Sequence, residues 1–223
     1  MTYPPSLLCA WFDLSADGRD DWTDWHNAEH IPERLAIPGF LRARRSAAIQ
    51  AGSTYFVMYE VRDIGVLRSP AYLARLNAPT DWTRRSLGKF RNNQRAAFRS
   101  HYRHGGEPGP ALLAIRLASP LAAAQVTALE RHLQTSVAGL PGIATLHFAL
   151  GDEEASRPDS EEARARGDEH PGLSGLILVE GAATEPLLEL ASGALSASTL
   201  GRIGVSTADE GGLYQTEICW SAR

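Results

Sequence analysis

Two histidines, His26 and His30, stand four residues apart in the stretch Asp21-Trp22-Thr23-Asp24-Trp25-His26-Asn27-Ala28-Glu29-His30-Ile31-Pro32. On an unbroken helix that spacing puts both rings on one face. His26-x-x-Glu29-His30 also has the spacing of the inverted zinc peptidases. Zinc would need a third ligand, and Pro32 disturbs the helix where that motif continues, so a metal-free role is the better reading. A histidine titrates near neutral pH and can take a proton from an activated small molecule and return it elsewhere. His30 is therefore the candidate acid/base, with His26 and Glu29 beside it. The structural alternative is a histidine bonded to free helix-end carbonyls or to Glu33.

Aromatic residues gather in the same half of the chain: Trp11, Trp22, Trp25, Trp82, Tyr55, Tyr59 and Tyr72. Such residues line pockets for flat apolar ligands, although more often they fill cores. Trp11, Trp22, Trp25 and Tyr59 are the candidates for a substrate wall, with Trp11 facing a cavity. Arg42 and Arg44 share one face of a strand, and Arg44 could hold an anionic group through paired N–H donors. The competing expectation pairs this face with the polar strand Asn92 to Arg103. Ser69 reads as a helix cap. Gly-rich phosphate loops are absent, which leaves nucleotide, nicotinamide and flavin binding without support.

These residues must be positioned by a short list of elements. Ser6 to Leu14 is an apolar strand ended by a turn. A helix capped by Asp17 or Asp20 follows to about His30, with a break expected near Ile31 because the residue before proline is pushed out of helical angles. Strands Phe40 to Gln50 and Ser53 to Val61 are joined at Ala51-Gly52 as a hairpin. A helix over Ile64 to Leu76, a short one after Thr80 and the strand Asn92 to Arg103 complete the first half.

The second half repeats the order: strand Ala111 to Ala118, helix Leu121 to Ala138, strands Ile143 to Leu150 and Leu173 to Glu180, helix Glu185 to Leu195, strand Leu213 to Trp220. Ile37-Pro38-Gly39-Phe40 and Leu140-Pro141-Gly142-Ile143 stand at the same place in each half. The chain thus divides into two βαββαβ repeats, residues 1–105 and 106–223, each a ferredoxin-like α+β unit. Aligned on the Pro-Gly pair, His30 falls opposite Leu133, so a site built on it occurs once per chain. The charged segment Asp152 to Pro171 replaces the tight hairpin connection of the first half. It reads as a mobile surface loop, with a short helix open over Glu161 to Arg166.

The aromatic-histidine-proline pattern from Asp21 to Pro32, followed by Ile37-Pro38-Gly39-Phe40, resembles the EthD-like proteins of the dimeric α+β barrel superfamily. The strong match runs over residues 6–45. The resemblance implies antiparallel sheets with helices outside, two units pairing their sheets, and a pocket between sheet and helix. In a duplicated chain that pairing can occur within one molecule, and a homodimer is left open. It also implies a residue of the first helix acting on a small aromatic or polyketide-like substrate, with His30 matching the family histidine.

The function read from the sequence is a cofactor-independent enzyme, of isomerase, cyclase or monooxygenase type, acting by proton transfer on a small cyclic or aromatic molecule. A non-catalytic binding or stress-response module on the same barrel is the alternative, and haem binding through His26, His30 or His101 a third. The composition is 43% hydrophobic and 22% charged with a net charge of −4, so neither a nucleic-acid footprint nor a membrane partner is expected. Cys9 and Cys219 read as buried free thiols. The N-terminus, Met-Thr-Tyr-Pro-Pro, lacks leader-peptide features, and the cytoplasm is the expected compartment.

Overall fold

The computed structural model describes residues 5–118, 120–167 and 172–222. The N-terminal residues 1–4, on which the leader reading partly rests, lie outside them, as do residues 168–171 of the charged segment.

The first half runs β1 (Ser6–Leu14), α1 (Arg19–Trp25), a π-helical turn (His26–His30), α2 (Ile31–Leu35), β2 (Phe40–Gln50), β3 (Tyr55–Val61), a 3-10 turn (Ile64–Arg68), α3 (Pro70–Leu76), α4 (Asp81–Leu87) and β4 (Phe90–Gly105). The second runs β5 (Ala111–Leu117), α5 (Ala123–Ser136), β6 (Ile143–Asp152), α6 (Glu153–Ser156), α7 (Glu161–Arg166), β7 (Gly175–Gly181), α8 (Glu185–Ser192), α9 (Ala197–Arg202) and β8 (Gly212–Ser221). Among the described residues the strands form one closed antiparallel barrel in the order β1-β3-β2-β8-β5-β7-β6-β4. Each half supplies a sheet of the same internal order, and the seams are the pairings β2 with β8 and β4 with β6. The barrel thus closes within one chain, with helices outside it.

Closure buries both faces of the strands, so the side-chain alternation of a strand sorts residues into two layers. Leu7, Cys9, Trp11, Phe56, Met58, Phe98, Leu178 and Tyr214 meet inside the barrel. Leu8, Phe12, Val57, Tyr59 and Val61 face outward and pack under the first-half helices with Trp22, Trp25 and Ile31. The corresponding outer layer of the second half is built on Leu113, Ile115, Leu129, Leu133 and Val179.

The shared Pro-Gly pair has a backbone cause. Gly39 (φ +99°) and Gly142 (φ +82°) both adopt left-handed angles, which side-chain-bearing residues rarely take. A Cβ on Gly39 would come within 2.5 Å of Val66, and one on Gly142 within 2.8 Å of Pro186. In both halves the chain entering the second strand presses against the connection that leaves the third.

Several expectations are corrected. The first helix starts after Gly18 with no side-chain cap, so neither Asp17 nor Asp20 caps it. No break occurs at Ile31; the backbone stays helical and widens, and the Ile31 N–H donates to the His26 carbonyl five residues back. A proline ring would clash with the carbonyl four residues before it, and the wide turn relieves that clash while keeping the helix continuous. The helix expected over Ile64 to Leu76 is divided by Ser69, which accepts from Tyr72 N–H as cap of α3. Cys219 is exposed, unlike Cys9.

Arg44 does not pair with the polar strand. β2 lies between β3 and β8, and Arg44 points into the barrel, where it contacts Glu180 and, at 3.3 Å, Glu60. Thr145 donates to Glu180 as well. Removing one charge from such a cluster strands the others out of water. Arg44→Ala, which leaves Glu60 and Glu180 facing each other, is expected to lower stability by roughly 3–5 kcal/mol, measured by urea unfolding. Leu188→Ala, on the surface, is expected to change it by less than about 0.5 kcal/mol.

Candidate active site

The first half holds a cavity of about 50 Å³ between the outer face of its sheet and its helices. Leu8, Val57 and Tyr59 rise from the strands, Trp22, His26, His30 and Arg34 descend from α1, the π turn and α2, and Tyr72 enters from α3. Asn93 and Arg95 of β4 and Arg166 of α7 complete the polar wall. Trp22, His26, His30 and Arg34 share one face because each step is four residues, and the π turn keeps that face continuous past Pro32. π turns inside helices recur at functional sites.

The rings form a packed series. Trp22 stacks on His26 at 4.8 Å, His26 on His30 at 5.6 Å, and His30 lies 4.4 Å from Trp25 and 6.4 Å from Tyr59. Arg45 is set over the Trp22 ring at 5.4 Å and its Nη1 donates to His26 Nδ1 at 3.2 Å. An arginine N–H can only donate, so His26 carries its proton on Nε2. Arg45 is itself held by Glu217 at 2.8 Å and Asn27 at 3.0 Å.

Both histidines are neutral at pH 7. Burial holds His26 well below the ordinary value, and Arg45 and Arg34 add to the effect. Burial does the same to His30, reinforced first by Arg34 and then by His26, Arg166 and Arg75. Burial pushes the Tyr59 hydroxyl up, so it remains a donor. Around the cavity Trp22 Nε1, His30 Nδ1, Arg34 Nη1, Tyr59 Oη and Glu162 Oε1 are buried without a hydrogen-bond partner. Buried polar atoms are normally satisfied, and those of Trp22, His30, Arg34 and Tyr59 belong to residues of the cavity wall.

Residues 152–167 of the charged segment expected to be a mobile surface loop are instead docked on this half. α7 does span Glu161 to Arg166, and Glu162, with no exposed surface, pairs with the buried Arg34. Arg166 lies 3.6 Å from the same carboxylate. Arg95 donates to the carbonyls of Ala155 and Ser156 at 3.4 and 2.7 Å and to Tyr72 Oη at 3.1 Å. α7 therefore contributes Arg166 to the cavity wall.

Of the residues singled out in the sequence, His26, His30, Trp22 and Tyr59 meet at the cavity. Trp11 lies inside the barrel against Phe56, Phe98 and the Arg116 guanidinium, because its strand position has the opposite sidedness to Leu8 and Phe12. Trp25 supports His30 from behind and donates its N–H to Glu29 at 3.2 Å and Thr83 at 3.1 Å. Glu29 is turned away from the cavity. It accepts from Thr80 at 2.6 Å and Thr83 at 2.7 Å, fastening the start of α4 to the π turn. Those hydrogen bonds hold its carboxyl below the usual range against the opposing effect of burial. Arg44 is on the wrong face of β2, and its neighbour Arg45 reaches the histidines instead.

Arg34, Arg45, Arg95, Arg166 and Glu162 were not singled out as site residues. Only the four-residue step from His30 to Arg34 carried a signal in the sequence. Counting back from Pro38 and Pro141, His26, His30 and Arg34 stand opposite Leu129, Leu133 and Val137. All three of the latter are fully buried in an apolar layer, so aliphatic side chains fill the space between helix and sheet at these positions of the second half.

Among the described residues no group of three or more His, Cys, Asp or Glu side chains is placed to hold a metal ion, and no helix is long and apolar enough to cross a membrane. Of the histidines named for haem, His26 and His30 face the cavity of about 50 Å³, and His101 pairs with Glu130 at 3.0 Å on the helix side of the sheet.

No protein-family model matches the chain, and no curated protein matches it. Solved structures do. An anthrone oxidase-like protein is similar at 14% identity and a TM-score of 0.62, over 99% of this chain and 94% of that one. A candidate monooxygenase from Lactobacillus acidophilus NCFM is similar at 10% identity and a TM-score of 0.59, covering 98% and 97%. A mutant chlorite dismutase from Candidatus Nitrospira defluvii, in complex with cyanide, is similar at 10% identity and a TM-score of 0.58, covering 98% and 92%. At these identities the likeness is one of fold, the dimeric α+β barrel.

Two predictions follow from this geometry. His26 and His30 have folded-state values below 6.5, and burial lowers His147 to about 3. Below pH 6.5 the unfolded chain binds protons at these positions that the folded chain does not, so stability is full above that pH and falls beneath it. Each histidine is expected to contribute a slope of up to about 1.4 kcal/mol per pH unit. Urea unfolding between pH 7 and 5 measures this, with a shallower slope for His30→Gln. Glu29→Ala is expected to cost about 1–3 kcal/mol by leaving Thr80, Thr83 and Trp25 without their acceptor, read in the same assay.

Proposed function

We propose that this chain, which has the dimeric α+β barrel fold and resembles the EthD-like proteins over its first helix, is a cytoplasmic, cofactor-independent enzyme. It moves a proton on a small cyclic or aromatic molecule held in the first-half cavity. The observation that carries this reading is His30: buried, neutral, with Nδ1 unpartnered on the wall of a cavity that Trp22 and Tyr59, with unpartnered Nε1 and Oη donors, also line.

A neutral imidazole accepts a proton from an acidic C–H or O–H of the ligand. The imidazolium so formed is opposed by Arg34 and Arg166, which makes the transfer favourable only when negative charge appears on the substrate in the same step. Trp22 Nε1 and Tyr59 Oη are donors for the oxygen on which that charge develops, and such preorganised donors contribute strongly in a site closed to water. His26, locked by Arg45, keeps its ring parallel to His30 and fixes the ring's tilt. The enolate or phenolate produced is the shared starting point of isomerisation and cyclisation, by reprotonation or attack elsewhere on the ring. It is also the electron-rich species that oxygenation requires, the class named for the anthrone oxidase-like and monooxygenase structures.

The test is exchange of solvent deuterium into small enolisable cyclic ketones and lactones, followed by NMR. His30→Gln is expected to reduce exchange about 10²–10⁴-fold while calorimetric affinity for the same compound is kept. Undiminished exchange in that variant would exclude His30 as the base. Binding without exchange by the unaltered chain would make the protein a carrier.

A further inference from the structure

We infer that the cavity is a carboxylate-binding site whose resident counter-ion is the chain's own Glu162, so that an aromatic or cyclic carboxylate entering it displaces Glu162 from Arg34. The inference rests on the proposal that the cavity takes a small cyclic molecule, and names the chemical class of that molecule.

Glu162 is out of character with its helix. Its neighbours Glu161 and Arg164 have side chains 48% and 61% exposed, as expected of a charged surface turn, whereas Glu162 has no exposed surface. A carboxylate is almost never fully buried unless paired, and here the pairing is incomplete. Glu162 engages Arg34 through Oε2 and Nη2, leaving Glu162 Oε1 and Arg34 Nη1 buried and unpartnered. A guanidinium and a carboxylate fully matched to each other make two parallel contacts. This pair makes one, and the spare N–H of Arg34 belongs to a residue of the cavity wall.

Charge points the same way. Arg34, Arg95 and Arg166 all line the cavity. Glu162 is the carboxylate that Arg34 pairs with, whereas the acceptors of Arg95 are the neutral Ala155 and Ser156 carbonyls and Tyr72 Oη. With both histidines uncharged, Arg95 leaves an excess of positive charge on the wall. An anionic ligand corrects that excess, and a carboxylate also suits the two neutral donors, Trp22 Nε1 and Tyr59 Oη. Its ring would lie on Leu8, Val57 and Phe90.

Volume couples entry to displacement. At about 50 Å³ the cavity is well below the roughly 150 Å³ that accommodates benzene in a protein interior. Space for a ring appears when α7 moves, and two of its ties outside the cavity are exposed: Arg84 to Glu161 at 3.4 Å and the Glu161 N–H to Asn77 at 3.1 Å. The ligand's carboxylate takes over the Arg34 contact that α7 gives up.

Benzoate is the probe, with benzamide as its neutral counterpart, and calorimetry and amide exchange the readouts. Glu162→Gln removes the internal competitor and is expected to bind benzoate about tenfold more tightly than the unaltered chain, with benzamide affinity unchanged. Saturating benzoate is expected to accelerate amide exchange across residues 161–166 of the unaltered chain. The double variant Arg34→Gln, Glu162→Gln removes both charges together and is expected to fold and to bind no benzoate. The inference is overturned if Glu162→Gln gains nothing for benzoate, if benzamide gains equally, if benzoate slows exchange at 161–166, or if the double variant still binds it. None of these readouts needs turnover. Failure of the proton-transfer proposal would show separately, as carboxylate binding that behaves as stated with no deuterium exchange into any substrate.

Discussion

Edge closure governs this structure. Each half builds a four-stranded sheet whose outer strands would present unpaired N–H and C=O groups, and a sheet edge left open invites pairing with another chain. Here β2 takes β8 and β4 takes β6, so both edges of both sheets are consumed within the molecule. Closure has a second effect: the inner faces of the two sheets become a shared interior, while the outer faces remain covered by helices. The strands have two buried sides, and whether a residue lies at an odd or even position decides which environment it enters. Arg44 and Arg45 show the consequence. Adjacent in sequence, one is enclosed in the barrel with Glu60 and Glu180, and the other reaches out to His26.

The same scaffold is used differently by the two halves. In the second, Leu129, Leu133 and Val137 fill the layer between helix and sheet, which needs no further support. In the first, His26, His30 and Arg34 occupy the matching stripe, and polar groups in such a layer are costly unless satisfied. Arg45 from β2 and Glu162 from the second-half insertion provide partners. The insertion that lengthens one hairpin is thus the structural complement of the polar stripe in the other half. Its composition, charged and lacking large apolar side chains, suits a segment whose docking is ionic.

Much of the element order was legible because strands and helices here follow their local patterns: β1 and β2 have the limits that their apolar runs suggest, and Thr80 and Ser69 cap as their types predict. The two Pro-Gly pairs were legible at matching places before the second strand of each half, with their reason in two left-handed glycines. The π turn was not, because a proline after a helical stretch is consistent with a break, a kink or a widened turn, and local sequence does not choose among them. α9 was missed because Ala197 to Arg202 contains no apolar stripe of its own.

The sequence by itself determined the order of the strands, the single occurrence of the histidine helix, and His26 and His30 as one face, since these depend on periodicity and spacing within a few residues. Only the tertiary structure decided which groups surround them. Trp11 and Arg44 face away from the histidines, and Arg45, Arg95 and Glu162 are brought near them and Arg34 by strand sidedness, register and the docking of a segment more than a hundred residues away. Those contacts depend on how the barrel closes, and closure is a property of the whole chain that no local pattern encodes.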